Sequence, residues 1–557
     1  MHKTLTRLWS LATRLPLPAL ALILAAQTLF ALKSRDLWFS DEVRYANVFE
    51  HLMQAKKWLV MYLNGVPYPD KPPVYFWFLA CLKPLYPSSE PALFFLGAAL
   101  SAFILVVCTV VLARKVFQAD RDTTLGAGLI LLTCFYFIGL CHYSRMDLLF
   151  ASFITLSQIF LYFAWQKDKA PCLLIAGFVL AGLAVLTKGP LGLAFPIVTS
   201  LVYLAWTGRI KRFFRKDVGL AAGVCLVILL AWVAGAYLSG EYEYLQNIFH
   251  KQIYKRAVNA PHHLQPFYHY ALTLPLAWMP WTLILFALPM RNLLLPDFWR
   301  RVWTTRKSTD QGAAYLWIMV IGAFSLLSVV SIKIIVYLLP LFPPLAILTA
   351  HALANLSERA ARRLFLMIGI LFLVLGANAP FANFMHPWPI KIKGLLMLAA
   401  ASLALGYLLI KYARRLIPLH ALLFLALGIT AWLQPLSLIT APSLDPAMSP
   451  KAQATIMGEY VGEGYVPVAY KIYSGIYNYY AHIDPKGKEG EQVIETQDME
   501  KIETILRDNP RVVLAMRRKY WDGWENRPEN VKIVHEQWIV NRPFVLAVKE
   551  EDGRGGL

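Results

Sequence analysis

Residues 15–32 read LPLPALALILAAQTLFAL, and residues 33–46 continue KSRDLWFSDEVRYA. The first stretch is apolar and uncharged, close to the roughly 20 residues that cross a bilayer as a helix. Lys3, Arg7 and Arg14 precede it, so the start of the chain has the layout of a signal peptide. Lys33, Arg35 and the acidic pair Asp41-Glu42 follow at once. We read the run as an uncleaved first transmembrane helix that delivers a polar segment to the far side of the membrane.

The rest of the chain repeats this alternation. Its 557 residues are 58% hydrophobic and 16% charged, and its mean hydropathy is +0.49. A soluble domain keeps about a quarter of its residues charged. Applying the same length rule predicts about thirteen transmembrane helices. They begin near Leu15, Pro91, Thr124, Leu148, Cys172, Leu191, Val218, Phe267, Ala313, Ile334, Leu364, Gly394 and Pro418. The aromatic run Val74–Tyr86 is too short to span and reads as an interfacial segment.

The formal net charge of +20 does not point to nucleic acid, because the cations lie between apolar runs and not along a soluble face. Clusters at Arg114/Lys115/Arg121, Lys167/Lys169, Arg209 to Lys216, Arg291 to Lys307, Arg359/Arg362/Arg363 and Lys411/Arg414/Arg415 all map to one side, the cytoplasmic one. Lys391/Lys393 is the single mild exception. The six cysteines lie in or beside apolar runs and suggest neither a disulfide framework nor a metal site.

The other face receives Lys33–Pro73, His142–Asp147, Lys188–Pro190, Ser239–Pro266, Ser331–Lys333, Pro380–Lys393 and the chain after about Ala441. We therefore divide the chain into a membrane domain, residues 1–440, and a periplasmic α/β domain, residues 441–557. In the latter, Val466–Ala469, Val512–Ala515, Val531–Val534 and Phe544–Val548 read as strands and Met499–Arg507 as a helix.

With the orienting charges set aside, Asp41, Glu42, Arg44, Asp70, Lys71, Arg145, Asp147, Lys188, Lys255, Arg256 and Lys333 remain, all on the periplasmic side. Cations are disfavoured there, and ionisable groups at a helix mouth are functional candidates. Lys and Arg can hold phosphate oxygens, and a carboxylate can orient or deprotonate an acceptor. Each motif alone also fits a plainer role: the start of a surface helix, a proline-fixed turn, a local salt bridge or a helix break. Lys333 and Tyr337 are spaced to share one helical face. His142, His250, His262, His263 and His269 lack metal-ligand spacing and read as solvated or headgroup-facing. Nothing in the pattern asks for a metal or a cofactor.

Five motifs, DEVRYA (41–46), YPDKPP (68–73), SRMD (144–147), LTKGP (186–190) and SIKIIVYLLPLFPP (331–344), together resemble the bacterial lipid A 4-amino-4-deoxy-L-arabinose transferases and the wider protein-mannosyltransferase-like superfamily. The resemblance covers roughly residues 15–350. It implies a GT-C fold and an inverting transfer at the periplasmic face of the inner membrane. The sugar, possibly 4-amino-4-deoxy-L-arabinose, would pass from an undecaprenyl-phosphate donor to lipid A or another envelope acceptor. By that resemblance Asp41 matches a carboxylate that activates the acceptor, and Asp147 the carboxylate at the mouth of the fourth helix. Arg44, Lys71, Lys188 and Arg256, or Lys255 in place of Arg256, match cations around the donor phosphate. Tyr68 and Tyr337 match aromatic positions near the donor. Glu42, Asp70, Arg145 and Lys333 complete the expected substrate-binding set. The chain departs from the pattern at Asp70, where Glu is usual, and at HKQIYKRA (250–257), which matches loosely. VAYKIYSGIYNYY (468–480) resembles the family only weakly. A transporter or flippase of a lipid-linked glycan is the competing class. It predicts internal repeats and discontinuous helices meeting at mid-membrane, and the sequence displays no clear repeat.

Overall fold

The computed structural model describes residues 2–86, 91–248, 265–290, 295–304, 311–413, 417–484 and 492–549. Among them nine helices are long and apolar enough to cross a membrane. They are Pro91–Val116, Asp147–Gln166, Pro171–Lys188, Lys216–Leu238, Gln311–Val329, Ile335–Ala354, Glu358–Met385, Leu395–Tyr412 and Pro418–Met448. Two further helix pairs pass that test only when taken together across a sharp bend: Thr4–Arg14 meets Pro16–Ala31 at 113°, and Arg121–Leu131 meets Phe135–Cys141 at 68°.

All thirteen predicted segments are thus helical, but not all are single full-length helices. The Leu191 segment is a helix of 16 residues, Leu191–Trp206. The Phe267 segment is a nine-residue helix, His269–Ala277, followed by a 3-10 turn at Trp281–Phe286. Pro275 and Pro280 lie in that segment, and each removes a backbone donor that a continuous helix needs. The break at residue 15 comes with Pro16 at the start of the second helix. The amphipathic N-terminal helix before it was not anticipated from the sequence.

After the first span comes a helix over Asp41–Ala55, which opens on two carboxylates, as the positive end of a helix dipole favours. A two-stranded hairpin follows, β1 (Tyr62–Leu63) and β2 (Val66–Pro67). The interfacial segment forms the helix Val74–Leu82.

Beyond the last span, strands β3 (Val466–Tyr470), β4 (Ile494–Thr496), β5 (Val512–Arg517), β6 (Val531–Ile539) and β7 (Arg542–Lys549) form one sheet in the order β4-β3-β5-β7-β6. β3 runs parallel to β4 and β5, while β7 is antiparallel to β5 and β6. The four expected strands and the Met499–Asp508 helix are present. The sheet's two faces follow the side-chain period of two. Val468, Tyr470, Leu514, Met516, Val545 and Ala547 pack with Ile502, Leu506, Trp521 and Trp524 on one side. Ala469, Val513, Ala515, Leu546 and Val548 join a different core on the other. That second core also contains Val43, Tyr45, Phe49, Tyr68, Tyr75 and Phe94 from the membrane-proximal segments. Sheet and interfacial helices are therefore built on shared apolar packing.

Candidate active site

The segment 34–40 is strapped to the end of the Pro418–Met448 span and to residues after it. The Leu37 N–H donates to the Tyr480 hydroxyl at 2.7 Å, the Phe39 N–H to the Met448 carbonyl at 2.8 Å, and the Trp38 indole to Asp445 at 2.7 Å. Lys451 pairs with Asp36 at 2.8 Å. Next along the chain, Glu42 is fully buried and accepts from both terminal nitrogens of Arg35, at 2.8 and 2.9 Å. It also accepts the backbone N–H groups of Trp38 at 2.8 Å and Ser144 at 2.7 Å. The Ser144 hydroxyl meets the Tyr75 hydroxyl at 3.0 Å. These bonds lock the 142–147 loop against the Asp41–Ala55 helix.

On the open side of that lock lies a cluster of charges. Arg145 bridges two carboxylates, with Nη1 3.1 Å from Asp41 and Nε 2.9 Å from Asp147. Asp147, buried at the N-terminus of its helix, also pairs directly with Lys188. Lys188 closes the Pro171–Lys188 helix, which Gly189 (φ 112°) and Pro190 terminate. An anion at a helix start facing a cation at a helix end is favourable for both dipoles. Lys188 also lies 4.3 Å from the centre of the Tyr337 ring. Arg44 stands 3.8 Å from Asp41, donates to the Tyr68 hydroxyl at 3.1 Å and stacks over the Tyr68 ring at 5.3 Å. Its Nε is buried without a partner.

Lys71 is different from the other cations. It is half-buried, and among the described residues no hydrogen bond or ion pair engages its ammonium. Burial lowers its pKa, while Asp41, Asp70 and Asp147 act at longer range to raise it and Arg145 to lower it. The two carboxylates of the cluster differ as well. The Asp147 side chain is 1% exposed and held by two cations, whereas that of Asp41 is 24% exposed. The geometry therefore offers an anion an unengaged cation, Lys71, and a partly satisfied guanidinium, Arg44, both within electrostatic range of the accessible Asp41. Among the described residues no group of three or more His, Cys, Asp or Glu side chains gathers as a metal site.

The family model for dolichyl-phosphate-mannose-protein mannosyltransferases matches residues 70–234. The crystal structure of ArnT from Cupriavidus metallidurans bound to undecaprenyl phosphate superposes with a TM-score of 0.76 at 18% identity, covering 96% of this chain and 98% of that one. The chain therefore has the GT-C fold of that structure. An undecaprenyl phosphate-alpha-4-amino-4-deoxy-L-arabinose arabinosyl transferase of Pseudomonas fluorescens is 27% identical over 377 residues, 67% of this chain and 64% of that protein. A protein of the same name from Aeromonas hydrophila is 29% identical over 433 residues, 74% of this chain and 75% of the relative. The matched region spans just under two thirds of the Pseudomonas fluorescens relatives.

In this GT-C chain the expected residues separate into groups. Asp41, Arg44, Tyr68, Lys71, Arg145, Asp147, Lys188 and Tyr337 come together, with Asp70 in electrostatic range of Lys71 and Arg44. Glu42 faces away into its lock with Arg35. Lys333 is buried and its ammonium donates to the carbonyls of Val330 at 2.6 Å and Gln265 at 3.1 Å. The expected α-helical face shared by Lys333 and Tyr337 does not form. Lys333 precedes a 3-10 helix, Ile335–Leu341, in a segment broken by Pro340. His142 is not solvated, because its ring nitrogens lie 3.0 and 2.9 Å from the carbonyls of Ile138 and Gln27. Lys255, Arg256, His250, His262 and His263 lie outside the described residues. The sequence reading missed Arg35 as the partner of Glu42, and it missed the hairpin, although Asn64-Gly65 between apolar residues is its signal.

Proposed function

We propose that this protein is an inverting glycosyltransferase that transfers a sugar from a polyprenyl-phosphate donor to an envelope acceptor. The pair of Lys71, whose ammonium no ion pair engages among the described residues, and Arg44, whose Nε is unsatisfied, carries this reading, because both lie in electrostatic range of Asp41 and Asp70 and can take a donor phosphate with little rearrangement of existing ion pairs. In the reaction an acceptor oxygen attacks the anomeric carbon as the bond from that carbon to the phosphate oxygen breaks. The bonding pair leaves on the phosphate, and Lys71 and Arg44 stabilise the growing charge. Arg145, Asp147 and Lys188 form the rigid frame that sets their positions. A hydroxyl acceptor would pass its proton to Asp41, whereas a phosphate acceptor is already anionic.

The names of the relatives support 4-amino-4-deoxy-L-arabinose as the sugar and undecaprenyl phosphate as its carrier. With the basic clusters on the cytoplasmic side, the reaction would occur at the periplasmic face of the inner membrane, on lipid A. Residues 441–557 would form the periplasmic domain above the site.

Purified protein in lipid, given a defined polyprenyl-phosphate sugar and lipid A, tests the reading. Lys71→Ala should slow transfer about a hundredfold or more, the scale of losing one preorganised contact to a developing anion. For a phosphate acceptor, Asp41→Asn should be milder than Lys71→Ala. For a hydroxyl acceptor it should cost about a hundredfold or more. Near-normal transfer by Lys71→Ala at equal protein content would remove Lys71 from the donor site.

A further inference from the structure

Residues 471–476, KIYSGI, follow β3 and lie against the segment that leads into the Asp41–Ala55 helix. Their backbone is fixed at both ends. The Lys471 N–H donates to the Thr496 carbonyl at 2.9 Å, and the Gly475 N–H to the Glu495 carboxylate at 2.7 Å. Gly475 (φ 70°) meets the β1-β2 hairpin so closely that an added Cβ would lie 2.3 Å from Leu63 Cδ1. Ile476 and Tyr477 then enter the shared core.

Between these anchors Tyr473 is left 53% exposed. Of the large apolar side chains described after residue 449, only Tyr473 and Val534 are exposed. The Tyr473 ring packs edge-on against Phe39, with centroids 5.4 Å apart and planes at 76°. Phe39 stands two residues before Asp41. The same loop approaches from the other side as well, since Glu495, which holds Gly475, lies within electrostatic reach of Arg44.

We propose that Tyr473 is an acceptor-binding residue, a platform on which a sugar ring of the acceptor's headgroup stacks beside Asp41. The inference rests on the glycosyltransferase reading for the identity of the acceptor. A pyranose presents a face of C–H groups to the electron-rich face of an aromatic ring, and the phenol offers a hydrogen bond at its edge. The Tyr473 hydroxyl makes no hydrogen bond among the described residues. The clamped backbone means that little ordering entropy is lost when the headgroup docks. The stretch after the last span would then read the acceptor, while Lys71 and Arg44 hold the donor.

The test uses the full chain in lipid nanodiscs and measures equilibrium binding of two probes separately, lipid A and undecaprenyl phosphate. Tyr473→Ala should weaken lipid A binding about tenfold and leave undecaprenyl phosphate binding within twofold. Tyr473→Phe, which keeps the ring, should retain most of the lipid A affinity. Equal loss of both probes, or unchanged lipid A binding by Tyr473→Ala, overturns the platform, as does failure of the wild type to bind lipid A. Where transfer is measured, the KM for acceptor should rise and the KM for donor should not. Wild type that binds lipid A through Tyr473 yet transfers no sugar would overturn the glycosyltransferase reading and leave the platform standing.

Discussion

Lys71 is pulled in two directions, and its charge is what a donor phosphate would need. Burial lowers its pKa, so as pH rises the free protein loses this ammonium below the ordinary lysine value of about 10.4. A bound phosphate stabilises the charged form and moves the pKa back up. The alkaline limb of kcat/KM, which reports the free protein, should therefore lie at lower pH than the limb of kcat. Lys71→Arg should push the first limb beyond the measurable range, since arginine does not titrate there. An unchanged limb in that variant would assign it to another group. Glu42 supplies the contrast. Glu42→Gln keeps the size but strips the buried Arg35 of its counter-charge, a loss of about 3–5 kcal/mol. Thermal unfolding in detergent should show a clear fall in Tm for Glu42→Gln and almost none for Lys71→Ala. The sequence displayed Asp41 and Glu42 as one acidic pair with no means of separating them. Adjacent residues on a helix point about 100° apart, so one carboxylate enters the cluster and its neighbour enters the core. Which one does so depends on where Arg35 sits, and that is a tertiary fact.

Among the elements, the β1-β2 hairpin has the most influence for its size, because it leads directly into Tyr68-Pro69-Asp70-Lys71. Asn64 (φ 51°) and Gly65 (φ 74°) make its turn. The Asn64 N–H donates to the Asn47 side chain at 2.9 Å, its amide donates to the Val493 carbonyl at 2.9 Å, and its side-chain oxygen accepts from Asn478 at 2.6 Å. Asn64→Ala places a Cβ residue without a side-chain amide at positive φ and removes the side-chain bonds to Val493, just before β4, and to Asn478. Transfer should fall by up to about thirtyfold, on the order of 1 kcal/mol for each of the two bonds lost. Asn64→Gly keeps the turn while losing the same bonds, so it should recover part of the loss. Equal activity in wild type and Asn64→Ala would show that the hairpin does not position Lys71. The helices were far more legible than this hairpin. Long apolar runs leave no alternative in a bilayer, where every backbone group must be bonded within the segment. Breaks were harder to see, because Pro275 and Pro280 sit in a run whose apolar length alone reads as a span. The strands of the sheet were visible in their β-branched runs, but β4 has three residues and offered too little pattern.

For the molecule as a whole, the apolar core shared by the sheet and the interfacial helices ties the C-terminal segment to the charge cluster. Asp41, Lys71, Asp147 and Lys188 therefore occupy the same end of the helical bundle as β3–β7. The basic connections at Arg114–Arg121, Lys167–Lys169 and Arg209–Lys216 lie at the opposite ends of the helices they join. If cations are retained on the cytoplasmic side, the cluster and the sheet both face the periplasm. Two exposed positions test this in a background with the six native cysteines replaced. Glu500 lies on the Met499–Asp508 helix of the C-terminal segment. Asp168, with its side chain 90% exposed, lies in the connection after the Asp147–Gln166 helix. An impermeant maleimide applied to intact spheroplasts should label Glu500→Cys and leave Asp168→Cys untouched until the membrane is permeabilised. Labelling of Asp168→Cys alone would invert the molecule and put the charge cluster in the cytoplasm. Labelling of both before permeabilisation would mean that the helices between them do not hold the two sites on opposite sides. The first pattern follows from charge placement and shared packing together, because the packing fixes which parts travel as one body and the charges fix which way that body faces.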